Sequence, residues 1–303
     1  MQSRVSVCIC TRNRPQELQR CLESLRSSSV PIDQVVVSDD STDDRTAELL
    51  RDEPGSSPVI YVRGPKRGLG ANRNLALGAA SGDYIIFLDD DACLGERFLE
   101  RALARMSTDG TARDRLVVSG CEDNRGVIVR AHDQSFLGFQ NVAYRGATGL
   151  NTIVINSTLF PRALFDVVSF DEHLIYGCDE VDVALQAVRH GYRIVQSEDA
   201  INFHYPSAVN RAYYKRHLDV SRLYITFKRY AIYERAYLKA MMFAVLGPAH
   251  CIASAIKRRG VRGLADAGRA IVAAARFSAD SLRHSGRDAQ RSGRQLRAPD
   301  QSL

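Results

Sequence analysis

Residues 84–94 read YIIFLDDDACL: five residues suited to a buried strand run directly into Asp89, Asp90 and Asp91, and the chain then turns apolar again. Three adjacent carboxylates repel one another, so the cluster needs compensation. Carboxylates fixed at the end of an anchored strand suit a hard divalent ion such as Mg2+ or Mn2+, which also takes phosphate oxygens. The competing reading is a solvated acidic turn at the start of the helix GERFLERALARM (95–106), where acids favour the positive helix end.

Outward from that strand, the first half of the chain alternates strand and helix. RVSVCIC (4–10), DQVVVS (33–38) and VIYV (59–62) read as strands. PQELQRCLESLRS (15–27) places Leu18, Cys21, Leu22 and Leu25 at helical spacing, and TDDRTAELLRD (42–52) and GLGANRNLALGAAS (68–81) read as further helices. Apolar strands joined by helices predict a parallel sheet covered on both faces. Ligands of such sheets gather at the carboxyl ends of the strands. The polar clusters TRNR (11–14), DDSTDD (39–44) and DDD (89–91) fall at those ends.

After residue 115 the pattern changes to shorter strands and loops, followed by a helix at DEVDVALQAVRHG (179–191) and the strands YRIVQ and AINFH (192–196 and 200–204). From about 207 the chain reads as helical to about 284, and its end as disordered. The expected organisation is a domain at 1–206, a helical region at 207–284 and a disordered tail at 285–303.

Length and composition bound the function. At 303 residues and 45% hydrophobic, the chain can bury a full core. Seven cysteines without a CxxC pair suit reduced thiols in the cytoplasm better than a disulfide framework or a zinc site. The apolar run at the amino terminus is too short for an export signal. AMMFAVLGPAHCIASAI (240–256) is shorter than the ~20 residues of a spanning helix and contains Gly247, Pro248 and His250, so no membrane span is expected. The net charge of +6 is not a nucleic-acid signature: residues 256–303 carry 11 Lys or Arg against four Asp, a local +7, leaving about −1 before them.

Several residues carry alternative readings. Asp39, at a strand end, is placed to receive a base or ribose donor, whereas Asp43 and Asp44 are helix-start residues. The segment GPKRGLGANRNLALG (64–78) sets Lys66, Arg67 and Arg73 among small residues, as either a diphosphate site or solvated surface. Asp179, Glu180 and Asp182 open an amphipathic helix, as a general base or as helix-end electrostatics. His204 ends a strand and reads as a packed histidine or a ligand.

In order, VSVCICTRNRPQELQRCLESL, VVVSDDSTDDRTAELL, RGLGANRNLALGAASGDYIIFLDDDACL, TGLNTIVINSTLF and YGCDEVDVALQAVRHGYRI resemble the family 2 glycosyltransferases over roughly residues 4–230. The resemblance implies the GT-A fold: a Rossmann-like α/β domain with a mixed, mostly parallel sheet and helices on both faces, here with a C-terminal helical extension. It implies inverting, metal-dependent transfer from a nucleoside diphosphate-sugar, UDP or dTDP favoured, to an acceptor hydroxyl in polysaccharide, glycolipid or natural-product assembly. Thr11, Arg12 and Asn13 would line the nucleotide pocket, Asp39 would contact the base, and Arg73 lies in the matching basic segment. Asp89 and Asp90 would contact donor, and Asp91, Asp89 and His204 would hold Mg2+ or Mn2+. Glu180 falls where the family carries its catalytic carboxylate; the family's ED or EE pair is DE here, which leaves Asp179 as an alternative base.

Two rivals share parts of this pattern. A haloacid-dehalogenase-type phosphatase also uses Asp-x-Asp after a buried strand but prefers Thr or Val where Cys93 stands. A non-catalytic nucleotide-sugar-binding protein would have no use for intact DDD and DE elements. At the other end of the chain, Arg262, Arg269, Arg276 and Arg283 recur every seven residues beside Val261, Leu264, Ala265, Ile271, Val272 and Ala275. That pattern suits a helix lying on an anionic membrane surface through 256–284, or one packed on the protein with solvated arginines. The expected location is the cytoplasm, peripheral on the inner face of the membrane.

Overall fold

The alternation of apolar strands and amphipathic helices builds one large mixed sheet. The computed structural model describes residues 3–51, 58–209, 214 and 216–295, with side chains described through 284. Two compact units divide it: Met1–Ser135 with Phe139–Lys215, and Phe136–Gly138 with Arg216–Leu303. The division falls later in the chain than the boundary expected at 206, and a short piece near residue 137 joins the second unit.

In the first unit, β1 (Val5–Thr11), β2 (Gln34–Asp39), β3 (Val59–Arg63) and β4 (Tyr84–Asp89) are parallel and lie in the order β3-β2-β1-β4. The sheet continues through β10 (Thr158–Pro161), β6 (Leu116–Asn124), β11 (Arg193–His204) and β5 (Ala92–Cys93), with β7 (Val127–Val129) on β6. β10 runs antiparallel to both its neighbours, while β11 is parallel to β6. A small separate pair is formed by β8 (His132–Gln134) and β9 (Gln140–Ala143).

Alternate side chains of each strand enter opposite cores. Val5, Val7 and Ile9 of β1 with Ile86 and Leu88 of β4 pack against α1 (Pro15–Leu25) and α4 (Phe98–Thr108). Cys8, Val36, Ile85 and Phe87 face the other way, toward Ala76 of α3 (Leu69–Ala79) and Val183, Ala184 and Ala187 of α5 (Asp179–Arg189). The short α2 (Arg45–Arg51) follows β2. All seven cysteines are free thiols, and Cys8 and Cys10 are buried.

Register sets the site. Thr11 pairs with Asp39 across β1 and β2, and Cys10 pairs with Asp89 across β1 and β4, so the three polar strand ends lie level. Because β2 and β4 flank β1, this edge is the switch point at which loops diverge.

The second unit is helical: α6 (Leu218–Lys228) runs into one wider turn at Arg229–Tyr233, followed by α7 (Tyr237–Arg259) and α8 (Gly263–Gln295). Phe136 stacks on Tyr230 with ring centroids 5.7 Å apart and meets Phe243 edge-on. Pro248 lies inside α7 without ending it, so the helix is longer than the apolar run 240–256 suggested. Contrary to the sequence expectation, the helical segment Tyr237–His284 is long and apolar enough, by length and composition, to cross a membrane. α8 buries Ala267, Ala270 and Ala274, while Leu264 and Val272 stay exposed, so its packed face is the small-residue one. Its backbone continues to Gln295, into the segment expected to be disordered; residues 296–303 lie outside the described residues.

Candidate active site

The three carboxylates after β4 have three different environments. Asp89 accepts a hydrogen bond from Arg73 at 2.8 Å, and its backbone N–H donates to Asn156 Oδ1 at 2.8 Å. Asp90 is buried: its Oδ2 accepts from the Thr11 hydroxyl at 2.8 Å and its Oδ1 from Arg14 at 2.9 Å. Burial pushes its pKa up to about 7 despite the opposing charge of Arg14. Asp90 and Thr11 therefore face each other inside the protein.

Asp91 is the carboxylate that meets His204. β5 and β11 run antiparallel with Ala92 opposite His204, and the Tyr205 amide donates to the Asp91 carbonyl at 2.9 Å. That pairing sets His204 Nε2 3.2 Å from Asp91 Oδ1. The other Asp91 oxygen accepts from the Ser207 amide at 2.8 Å and lies 3.3 Å from Arg14. Burial works against the Asp91 charge, yet the hydrogen bonds from His204 and Ser207 hold its pKa below the ordinary carboxylate value. On the far side of the imidazole, Nδ1 lies 2.8 Å from Glu122 Oε1. Although burial disfavours the imidazolium, the two carboxylates raise the His204 pKa to about 10.

Glu122 is itself buried on β6 and accepts from Asn156 Nδ2 at 3.1 Å. Asn156 thus links the Asp89 backbone to Glu122, and Glu122 links it to His204. Neither residue figured in the sequence reading. A buried acid in a strand, in CEDN (121–124), was the signal available.

Arg73 is almost fully buried in α3, its guanidinium over the Phe170 ring at 5.5 Å. It bridges Asp89 and Asp179. A cation this enclosed fixes two carboxylates in place; it is not the open diphosphate contact that its segment suggested.

The two residues of the DE pair separate. Gly177 and Cys178 both have positive φ, 84° and 62°, which turns the chain sharply into α5 and aims its first residues. Asp179 is buried against Arg73. Glu180 is only partly buried and accepts a hydrogen bond from Gln140. Loss of solvation raises its pKa, and the nearby charge of Asp89 adds to the rise. Of the pair, Glu180 has the less committed carboxylate.

The nucleotide-side residues converge at the ends of β1 and β2. Asn13 adopts φ 58°, donates its amide to Ser41 Oγ at 2.7 Å and accepts from the Thr42 amide at 2.8 Å. Asp39 accepts from the Ser41 amide at 2.8 Å and from the Tyr61 hydroxyl at 3.2 Å. Arg12 is partly buried, and its positive charge acts on Asp40. Tyr176 stacks on Tyr214 with centroids 4.5 Å apart, and Arg14 lies over the Tyr214 ring. Arg14 and the two tyrosines, close to the acidic cluster, were also missed.

Among the described residues no group of three or more Asp, Glu, His or Cys side chains forms a ready-made metal cage. Asp91 and His204 face each other as a carboxylate and a protonated imidazole, and they become a two-donor set only when the imidazole gives up its Nε2 proton, as a ligating histidine must. That set fits a divalent ion that also takes oxygens from a bound diphosphate and from water, as Mg2+ commonly does. Asp89 is held by Arg73.

The family model described as Glycosyl transferase family 2 matches residues 6–168. The chain belongs to that family. The mixed sheet with helices on both faces is the fold of its structural neighbours. Glycosyltransferase AglE of Haloferax volcanii is 29% identical over 209 residues, covering 66% of this chain and 66% of its own. A protein of Campylobacter jejuni named GalNAc(5)-diNAcBac-PP-undecaprenol beta-1,3-glucosyltransferase is 30% identical over 91 residues, 29% of each chain. The matched region thus spans under two thirds of the length of these curated relatives.

Among solved structures, S. aureus TarS 1-349 in complex with UDP-GlcNAc superposes with a TM-score of 0.58 at 16% identity, covering 95% of this chain and 92% of its own. Mannosyltransferase PcManGT of Pyrobaculum calidifontis, in complex with GDP-Man and Mn2+, gives 0.55 at 18% identity, covering 96% and 81%. At such identity the likeness shows the fold.

Proposed function

We propose that this protein is a metal-dependent, inverting glycosyltransferase that moves a sugar from a nucleoside diphosphate-sugar to an acceptor hydroxyl. The observation that carries this reading is the convergence of Asp91, His204, Asp89 and Glu180 on one edge of the sheet. The donor is a UDP- or dTDP-sugar by the sequence resemblance; neighbours holding UDP-GlcNAc and GDP-Man support the diphosphate-sugar class.

Asp91 and His204 would hold Mg2+ or Mn2+, which when bound neutralises charge on the diphosphate. Glu122 orients the imidazole, as a carboxylate behind a ligating histidine does elsewhere. Arg73 fixes Asp89 beside the donor and draws Asp179 out of the reaction. Asp39, Asn13 and Arg12 form the nucleoside end, with Thr11 and Asp90 supporting them from within. Glu180 takes the proton from the acceptor hydroxyl as its oxygen bonds to the anomeric carbon. The bond from that carbon to the diphosphate breaks, its electron pair leaving with the nucleoside diphosphate.

The acceptor we favour is a lipid-linked saccharide at the cytoplasmic face of the membrane, supported by the undecaprenol-linked substrate in one relative's name and by the basic segment 256–284. A thermal-shift panel of UDP, dTDP and GDP with and without Mn2+ tests the donor reading, because a specific ligand raises apparent stability by mass action. A metal-dependent rise with one of the three supports it. No rise with any of them contradicts it.

A further inference from the structure

We propose that the exposed face of α7 is the surface by which the protein sits on an anionic phospholipid membrane, with the helix lying in the interface plane. The proposal deepens the membrane reading above, and rests on it, by naming a face that the arginine pattern of α8 does not contain.

α7 has two sharply different sides. Ala240, Phe243, Gly247, Cys251 and Ala255 are buried. Opposite them, Leu238, Met241, Met242, Val245, Leu246 and Ile252 are exposed, Leu238 and Val245 at 68% and Met241 at 62%. Ile256, at 44%, extends the same helical stripe. No residue between Lys239 and Lys257 carries a formal charge with histidine neutral. From Leu238 to Ile256 the stripe is about 27 Å long at the rise of an α-helix. Soluble monomers rarely leave so long an apolar face uncovered; such patches mark contact with a partner or a membrane.

Charge selects the occupant. Residues 216–303 hold 17 Lys or Arg against six Asp or Glu, a formal +11, so the rest of the chain is −5. A second copy of this face would bring the same excess and be repelled, whereas an anionic lipid surface attracts it. Lys239 stands at one end of the stripe, and Lys257, Arg258 and Arg259 at the other, where they meet headgroups while the apolar side chains enter the acyl boundary. Spanning is the poorer fit. The uncharged run 240–256 is at the short end of what a spanning helix needs, and α7 would have to leave the packing that buries Phe243 and Cys251.

The chain has no tryptophan, so Val245→Trp installs a single fluorescent reporter at an exposed position. With full-length protein and phosphatidylglycerol-containing vesicles, its emission should shift to the blue and be quenched by brominated acyl chains; with phosphatidylcholine alone both effects should be weaker. In flotation, wild type should rise with the anionic vesicles. The triple variant Leu238→Gln, Met241→Gln, Val245→Asn, of unchanged circular dichroism, should lose at least tenfold in bound fraction. Wild type that stays at the bottom of the gradient overturns the membrane reading itself. Wild type that floats, with unshifted emission from the Val245→Trp reporter or with the triple variant floating equally, overturns only the assignment to α7. Light scattering that shows a dimer lost in the triple variant, without vesicle binding, assigns the face to self-association and overturns the proposal.

Discussion

His204 Nε2 stands 3.2 Å from Asp91 Oδ1, brought there by the antiparallel pairing of β5 and β11. A carboxylate and an imidazole from distant parts of the chain share one point because Ala92 and His204 are register partners. Asp91→Asn removes one negative oxygen from that point. We expect transfer to fall by at least about 100-fold with the fold intact, a loss in the range of removing a principal charge-stabilising group. Wild-type rates at saturating Mn2+ would refute the role of Asp91.

Glu122 acts one step behind. Its carboxylate fixes the ring through Nδ1, at 2.8 Å, and leaves Nε2 toward Asp91. Glu122→Gln should weaken Mn2+ affinity by roughly 10–100-fold, as loss of such partners does, read by calorimetry or by the electron paramagnetic resonance of free Mn2+. Unchanged affinity would make Glu122 a packing residue only.

Arg73 is the buried cation on which Asp89 and Asp179 both depend. Arg73→Ala leaves the two carboxylates without it and should cost about 3–5 kcal/mol of stability, the usual penalty for breaking a buried ion pair from one side. Chemical denaturation measures this. A loss below about 1 kcal/mol, the range of exposed pairs, would show that Arg73 is solvated.

Glu180 and Asp179 should part in the same way as their surroundings do. Glu180→Gln should lower kcat by roughly 10²–10⁴-fold, the contribution of a general base, with little change in melting temperature. Asp179→Asn should chiefly lower stability. Because loss of solvation raises the Glu180 pKa, its base form is present above that value and lost as pH falls through it. The acid limb of the kcat profile should therefore lie above the ordinary glutamate range and vanish in Glu180→Gln; an unaltered limb would point to another group.

The placement of the strand ends was legible in the sequence because apolar runs ending in TRNR, SDDS and DDD read as strands carrying polar termini, and the register sets those termini level. Orientation was not. Asp90 and Thr11 belong to two separate polar clusters, yet each satisfies the other inside the protein, which depends on the β1–β4 pairing and not on local pattern. Arg73 looked like a phosphate contact because its segment is basic; its burial follows from how α3 packs beside Phe170 and Asp179. Glu122 and Asn156 gave little signal because a buried acid and amide announce themselves only when their partners from other strands are known. Pro248 weighed against a long helix, but a proline within α7 does not end it.

The central claim is that Asp91 and His204 hold the metal that anchors a nucleoside diphosphate-sugar. The most direct test is calorimetric titration of UDP, dTDP and GDP into wild type and Asp91→Asn, each with Mn2+ and with chelator. The account predicts that at least one nucleotide binds wild type with Mn2+, and that chelator and Asp91→Asn each weaken that binding by tenfold or more. Nucleotide binding of equal strength in all four conditions would contradict it.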